Sequence, residues 1–164
     1  MLTELHENVL LKIYGIIRNS GENICWGLTG STSFALQGVD VEPHDIDIQT
    51  DGASAYILGR LLAEYEVQPV MFCGNAKIRS HFGKYLIDGM KVEIMGDIQK
   101  SAGDHWEDIV PLESILDYIS WHDVSIPVLK LSYEAEAYEK LGRIAKAKML
   151  RDYLRSEEHT SELQ

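Results

Sequence analysis

Gly27-Leu28-Thr29-Gly30-Ser31-Thr32-Ser33 and, a short way downstream, His44-Asp45-Ile46-Asp47-Ile48 decide how this chain is read. The first is a Gly-Ser turn that follows an apolar run. The second places two carboxylates at i and i+2 among isoleucines. A strand sends alternate side chains to the same face. Asp45 and Asp47 then share one side, while Ile46 and Ile48 face a core. Adjacent acids repel unless a cation stands between them. A hard divalent ion meets that need, because it takes oxygen from carboxylates and phosphates together. Gly30 removes the Cβ that would hold a phosphate off the backbone. Ser31 adds a hydroxyl at a helix start, where free amides favour anions.

A third acid stands in a later strand-like run, Lys91-Val92-Glu93-Ile94-Met95, just after the hairpin signal Asp88-Gly89. Gly-Ser, then Asp-x-Asp, then a single strand acid resembles the signature of the nucleotidyltransferase superfamily, the fold shared with DNA polymerase beta. The resemblance covers residues 24–99. The chain looks similar to the small stand-alone nucleotidyltransferase domain proteins of bacteria and archaea, among them relatives of the lincosamide and aminoglycoside nucleotidyltransferases. Glu93 departs from the pattern, which more often carries Asp at the third position.

That resemblance implies an α/β (α+β) fold, a small mixed sheet flanked by helices, with a C-terminal helix. It implies transfer of a nucleoside monophosphate from an NTP, ATP foremost, to a hydroxyl of a small molecule or protein. Asp45, Asp47 and Glu93 would hold Mg²⁺, with Mn²⁺ a substitute, and Glu93 could instead be the base. Gly30 and Ser31 would receive phosphates. Lys77, Arg79 and His81 fall on one face of an extended run. They suit phosphate or base contacts, or equally a solvated edge, and Arg79 is the one assigned to the nucleotide. Family members also use a basic residue from a C-terminal helix, and Lys140, Arg143 and Lys146 all offer one; a solvated helix face explains them as well. The alternative is a regulatory relative without catalysis, an antitoxin-type partner of another protein. The resemblance also allows a homodimer.

Other motifs fail. Ser31 and Ser33 lack the glycines of a nucleophile elbow. Gly83-Lys84 has no Walker A loop around it. Cys25 and Cys73 lack zinc spacing and read as buried free thiols in a reducing cytosol. His44-Asp45 and His122-Asp123 resemble the pairs of metal phosphohydrolases, but those sit on helices. Trp26, Trp106 and Trp121 read as packing anchors.

The 164 residues suit one domain with its own core. No apolar run reaches the ~20 residues of a membrane span, and no basic-apolar leader opens the chain. With 15 Lys and Arg against 26 Asp and Glu, the net charge is −11. Grip on a nucleic-acid backbone needs basic patches, so a polymerase role is disfavoured. A small, cationic or protein acceptor fits the total better.

The element reading runs as follows: a helix over 3–19 capped by Thr3; a strand over 24–28; helix 31–37; strand 44–49; helix 52–65; strand 67–72; extended runs over 76–82 and 84–87; strand 91–95; a strand over 109–112; a short helix over 112–121; and, after Pro127, one long helix over 129–154. The domain is thus 1–154, with core 24–99 and a helical part over about 127–154. Residues 155–164, Arg-Ser-Glu-Glu-His-Thr-Ser-Glu-Leu-Gln, read as the in-frame translation of a sequencing-adapter oligonucleotide and are set aside.

Overall fold

A computed structural model describes the backbone of residues 1–163 and the side chains of residues 1–160. It is built on seven strands: β1 (Trp26–Thr29), β2 (Ile46–Thr50), β3 (Glu66–Gly74), β4 (Ile78–Ile87), β5 (Met90–Lys100), β6 (Leu116–Trp121) and β7 (Val124–Leu129). They form one mixed sheet in the order β3-β4-β5-β2-β1-β7-β6. β2 runs parallel to β5 and β1 parallel to β7, and the other neighbours are antiparallel.

The helices are α1 (Glu4–Asn19), α2 (Gly30–Leu36), α3 (Gly52–Leu61), α4 (Leu131–Lys140) and α5 (Ile144–Leu163). Thr3 caps α1, its hydroxyl accepting the His6 amide, and Asp51 caps α3 by accepting the Ser54 amide. Val9, Leu10 and Ile13 of α1 and Ala55 and Leu58 of α3 pack on one sheet face against Leu28, Ile46, Ile48, Val92 and Ile94. A second cluster joins Phe34 of α2 to Leu131, Ala135 and Leu150. Asp47 and Glu93 alternate with the fully buried Ile46, Ile48, Val92 and Ile94, so their side chains face away from the main core. Among the described residues no helix is long and apolar enough to cross a membrane.

Several expectations need correction. Residues 109–111 are not a strand, and the expected helix 112–121 is a 3₁₀ turn followed by β6. Trp121 pairs with Val124 across His122-Asp123, both at positive φ (46° and 60°). A two-residue loop with both central residues left-handed suits the twist of a hairpin. A helix pattern was read into what is an edge strand with one wet face. The long helix over 129–154 is also overturned: Pro127 lies inside β7, and the helical stretch breaks between α4 and α5 at Gly142, whose φ is +79°. Asp45 sits at the bend before β2 rather than within it. The two extended runs over 76–87 are one strand, β4. Both cysteines are free, but Cys73 is exposed on the edge strand β3. α5 continues through residues 155–163, the segment read as adapter-derived, where Arg155 pairs with Asp152 on an exposed face; residue 164 lies outside the described residues.

Candidate active site

The two motifs quoted first are tied to each other. β1 ends at Thr29, and Gly30 opens α2 with φ +76°. A Cβ at residue 30 would stand 2.7 Å from Asp47 Oδ2 in addition to straining that backbone, so only glycine fits. The Ser31 hydroxyl accepts the His44 amide at 3.0 Å, and the Thr32 hydroxyl donates to the Asp45 carbonyl at 2.8 Å. The buried His6 ring bonds the His44 carbonyl at 2.6 Å from α1. The Gly-Ser turn and the chain entering β2 are therefore one hydrogen-bonded unit.

Asp47 and Glu93 come from the neighbouring strands β2 and β5, and Asp45 from the bend that enters β2. Asp47 is the register partner of Glu93 on β5 and of Thr29 on β1. Burial first, then the charges of Glu93 and Asp45, push the Asp47 carboxyl up to about 7, against the pull of Lys146. Burial and Asp45 raise Glu93, opposed by Lys84 and Lys91. Carboxylates that hold their protons because they are buried and face one another are the donor set a hard divalent ion relieves. Among the described residues no group of three His, Cys, Asp or Glu side chains is placed to hold a metal ion together. An open array suits Mg²⁺, which binds one or two carboxylates and completes its shell with waters and substrate phosphates.

Cations reach the acids from the C-terminal helices. Arg143 lines the cleft that contains Gly30 and Asp47, and Lys146 acts on the Asp47 charge. Lys140 is turned away to Glu107 and Glu136, each at 3.4 Å. Arg79 is not brought to this group. Its Nε donates to Gln99 at 3.0 Å, and its guanidinium lies 4.3 Å from the centroid of the Trp106 ring. His81 turns to the hydroxyl of Tyr56 on α3 at 2.7 Å.

One residue escaped the sequence reading. Glu134 of α4 is 5% exposed and lines the same cleft. The Thr29 hydroxyl and the Gly30 amide both donate to its carboxylate, while among the described residues its second oxygen, Oε2, has no partner. Burial drives it up to about 8, against the pull of those two hydrogen bonds. The signal was there: at 134 an acid falls on the apolar stripe of Leu131, Ala135 and Tyr138.

The acids stand between two cavities. One, of about 210 Å³, is lined by Thr29, Gly30, Asp47, Glu134, Tyr138 and Arg143. The other, of about 380 Å³, is lined by Asp45 and Glu93 with Lys84, Lys91, Val67 and Leu86. Arg79 lines neither.

Comparison with known proteins bears on the fold and the family. No curated protein matches the chain. Among solved structures it resembles a provisionally assigned nucleotidyltransferase from Thermotoga maritima, with 49% identity, TM-score 0.83, and coverage of 95% of this chain and 96% of that one. At 12% identity it shares the fold of ANT(2″)-Ia in complex with adenylyl-2″-tobramycin, with TM-score 0.59 over 95% of this chain and 92% of that one. It also shares the fold of the lincosamide antibiotic adenylyltransferase LnuA with lincomycin bound, with identity 12%, TM-score 0.53, and 91% and 98% covered. The family profile of aminoglycoside-2″-adenylyltransferase matches residues 9–155. The chain belongs to that family, and it is a nucleotidyltransferase.

Proposed function

We propose that residues 1–154 form a catalytic unit that transfers a nucleoside monophosphate, AMP foremost, from a magnesium-bound NTP to a hydroxyl of a small molecule. One observation carries the reading. Asp47 and Glu93 are register partners on adjacent strands, Asp45 precedes them, and the Gly30-Ser31 turn is bonded to that same segment.

Asp45 and Asp47 would hold the metal, Mn²⁺ serving as well, which leaves Glu93 free to act as the base. When bound, the metal neutralises the charge that builds on the triphosphate as the leaving group departs. The chain's own residues do the rest. Gly30, without a Cβ, lets the backbone close on the phosphates, and the Ser31 hydroxyl can donate to them. Arg143 and Lys146 face the same side and offset phosphate charge. Arg79 enters this reading only as a distant support, through Gln99 and Trp106.

Glu93 lies on the other side, where an acceptor enters. Burial and the Asp45 charge raise its affinity for a proton, the direction a general base needs. The acceptor oxygen attacks the α-phosphorus, the bond from that phosphorus to the bridging oxygen breaks, and pyrophosphate leaves with the electron pair. The hydroxyl proton passes to Glu93. Positioning and charge stabilisation supply most of the acceleration in such an in-line transfer.

The test is a thermal shift with ATP, with and without Mg²⁺, on wild type and on Asp45→Asn/Asp47→Asn. A metal-dependent rise lost in the double variant supports the site. Equal shifts in both proteins would remove it.

A further inference from the structure

The acceptor side of this site carries the wrong charge for a polycation. Among the described residues the cavity next to Glu93 and Asp45 holds no other acid. Its remaining charged lining is Lys84 and Lys91, both exposed and both acting on Glu93 as opposing charges. Lys84 is the register partner of Glu93 on β4, and Lys91 precedes Glu93 by two residues on β5, so all three lie on one face. Beside them stand Val67 and Leu86, 65% and 47% exposed.

We propose that this cavity is the acceptor subsite and that it selects a hydroxyl compound with an apolar face and a neutral or anionic group, not a polyamine sugar. The assignment rests on the nucleotidyl-transfer reading above. Gly30, Arg143 and the Lys146 charge fix the phosphate side in the other cavity, so the opening past Glu93 is what an attacking hydroxyl can use. An Asp45 carboxylate that is engaged with a divalent ion no longer attracts an ammonium group. The charges an incoming acceptor then meets are those of Lys84 and Lys91 against the one of Glu93, a net positive set within a chain whose total charge is −11. A site for a polyamine needs the reverse arrangement, with carboxylates flanking the base, because like charges at close range reject a ligand. Val67 and Leu86 offer apolar area that a fully hydrated polyamine cannot use.

The full chain is first loaded with Mg²⁺ and α,β-methylene-ATP, which cannot transfer, and loading is read by thermal shift. Absence of any shift counts against nucleotidyl transfer itself and takes the acceptor assignment with it. With loading established, calorimetry compares p-nitrophenyl β-D-glucuronide with tobramycin. The glucuronide is expected to bind the wild type. Its Kd should weaken at least tenfold in Lys84→Glu/Lys91→Glu and stay within threefold in Lys84→Arg/Lys91→Arg. Tobramycin should bind only the charge-reversed variant. The lysines are exposed, so circular dichroism should show both variants folded. Tighter binding of tobramycin to the wild type would overturn the proposal. So would a glucuronide Kd indifferent to charge reversal, or binding of neither probe to the loaded protein.

Discussion

Glu134 of α4 accepts the hydroxyl of Thr29, the last residue of β1, although 105 residues separate them in sequence. The same carboxylate takes the Gly30 amide. A buried acid from the C-terminal half thus holds the turn that a phosphate would approach. Replacing it by alanine strands two donors in a buried place, at a cost of about 1–3 kcal/mol. Glu134→Ala is expected to lower Tm by several degrees and to cut kcat by tenfold or more, because Gly30 is the residue that fits around Asp47. Glu134→Gln keeps an acceptor for both donors and should retain most activity. Identical kinetics for the Ala and Gln variants would show that the turn does not depend on this contact.

Stability should also depend on pH. Unfolded, both Asp47 and Glu134 lose their protons near pH 4. Folded, Asp47 holds its proton to about 7 and Glu134 to about 8. Between pH 4 and 8 the native state therefore binds more protons than the unfolded chain, so stability falls as pH rises through that window. The metal-free protein should melt about 5 °C or more higher at pH 5.5 than at pH 8.5, since ~1 kcal/mol moves Tm by a few degrees at this size. Glu134→Gln should flatten the slope. A Tm that rises over the same range would show that these carboxyls do not carry their protons into the fold.

The mixed sheet and the strands that carry Asp47 and Glu93 were legible because each signal was local. Asp-x-Asp within isoleucines, Gly-Ser after an apolar run, and Asp88-Gly89 before Glu93 are all decided by neighbours a few residues apart. β6 was misread because a short edge strand with a wet face has no strict alternation: Leu116 is buried while Asp117 and Tyr118 are both exposed. Its turn residues, His122 and Asp123, take positive φ without the glycine that marks such loops. Gly142 lay in plain view as a helix stop, yet the apolar spacing on either side seemed continuous. Glu134 and the choice of Lys146 over Lys140 depend on how α4 and α5 fold back on the sheet, which no local pattern encodes.

Asp47→Asn separates function from stability. The asparagine has the same shape and no charge, so it removes the cost of burying a carboxylate and then the repulsion from Glu93 and Asp45, which together push Asp47 up to about 7. At pH 8 without metal the variant should be more stable than wild type by on the order of 2 kcal/mol. It should have lost the Mg²⁺-ATP thermal shift and at least 10³-fold of activity, the scale of one electrostatic contact to a transition state. Denaturant melts beside an AMP-transfer assay give both numbers. A destabilised Asn variant would mean that the carboxylate is a structural hydrogen-bond acceptor instead.

Gly30→Ala puts a methyl group where Asp47 Oδ2 lies 2.7 Å away, on a backbone at φ +76°. A left-handed alanine costs about 1–2 kcal/mol. The displaced carboxylate should cost much more in activity than in folding. Expected are a Tm lower by only a few degrees and a kcat/KM lower by 10² or more. Wild-type kinetics in this variant would show that the turn and Asp47 move independently.

Lys140, Arg143 and Lys146 look alike in sequence, but the fold gives them different surroundings. Lys140 is held by Glu107 and Glu136 on an exposed face. Lys146 pulls down the proton affinity of Asp47 from across the cleft, and its own ammonium is lowered by burial and by the nearby Arg143. Removing it should weaken the hold on phosphate without touching the acceptor. Lys146→Gln is expected to raise KM for ATP about tenfold, the scale of one charge-assisted contact. It should also shift the rise of activity with pH upward, since Asp47 then gives up its proton later. Lys140→Gln should change neither by more than about twofold, as exposed ion pairs contribute little. Steady-state kinetics against ATP from pH 6 to 9 separate the two, and an equal loss in both variants would mean that a general positive field acts on the nucleotide, not a placed lysine.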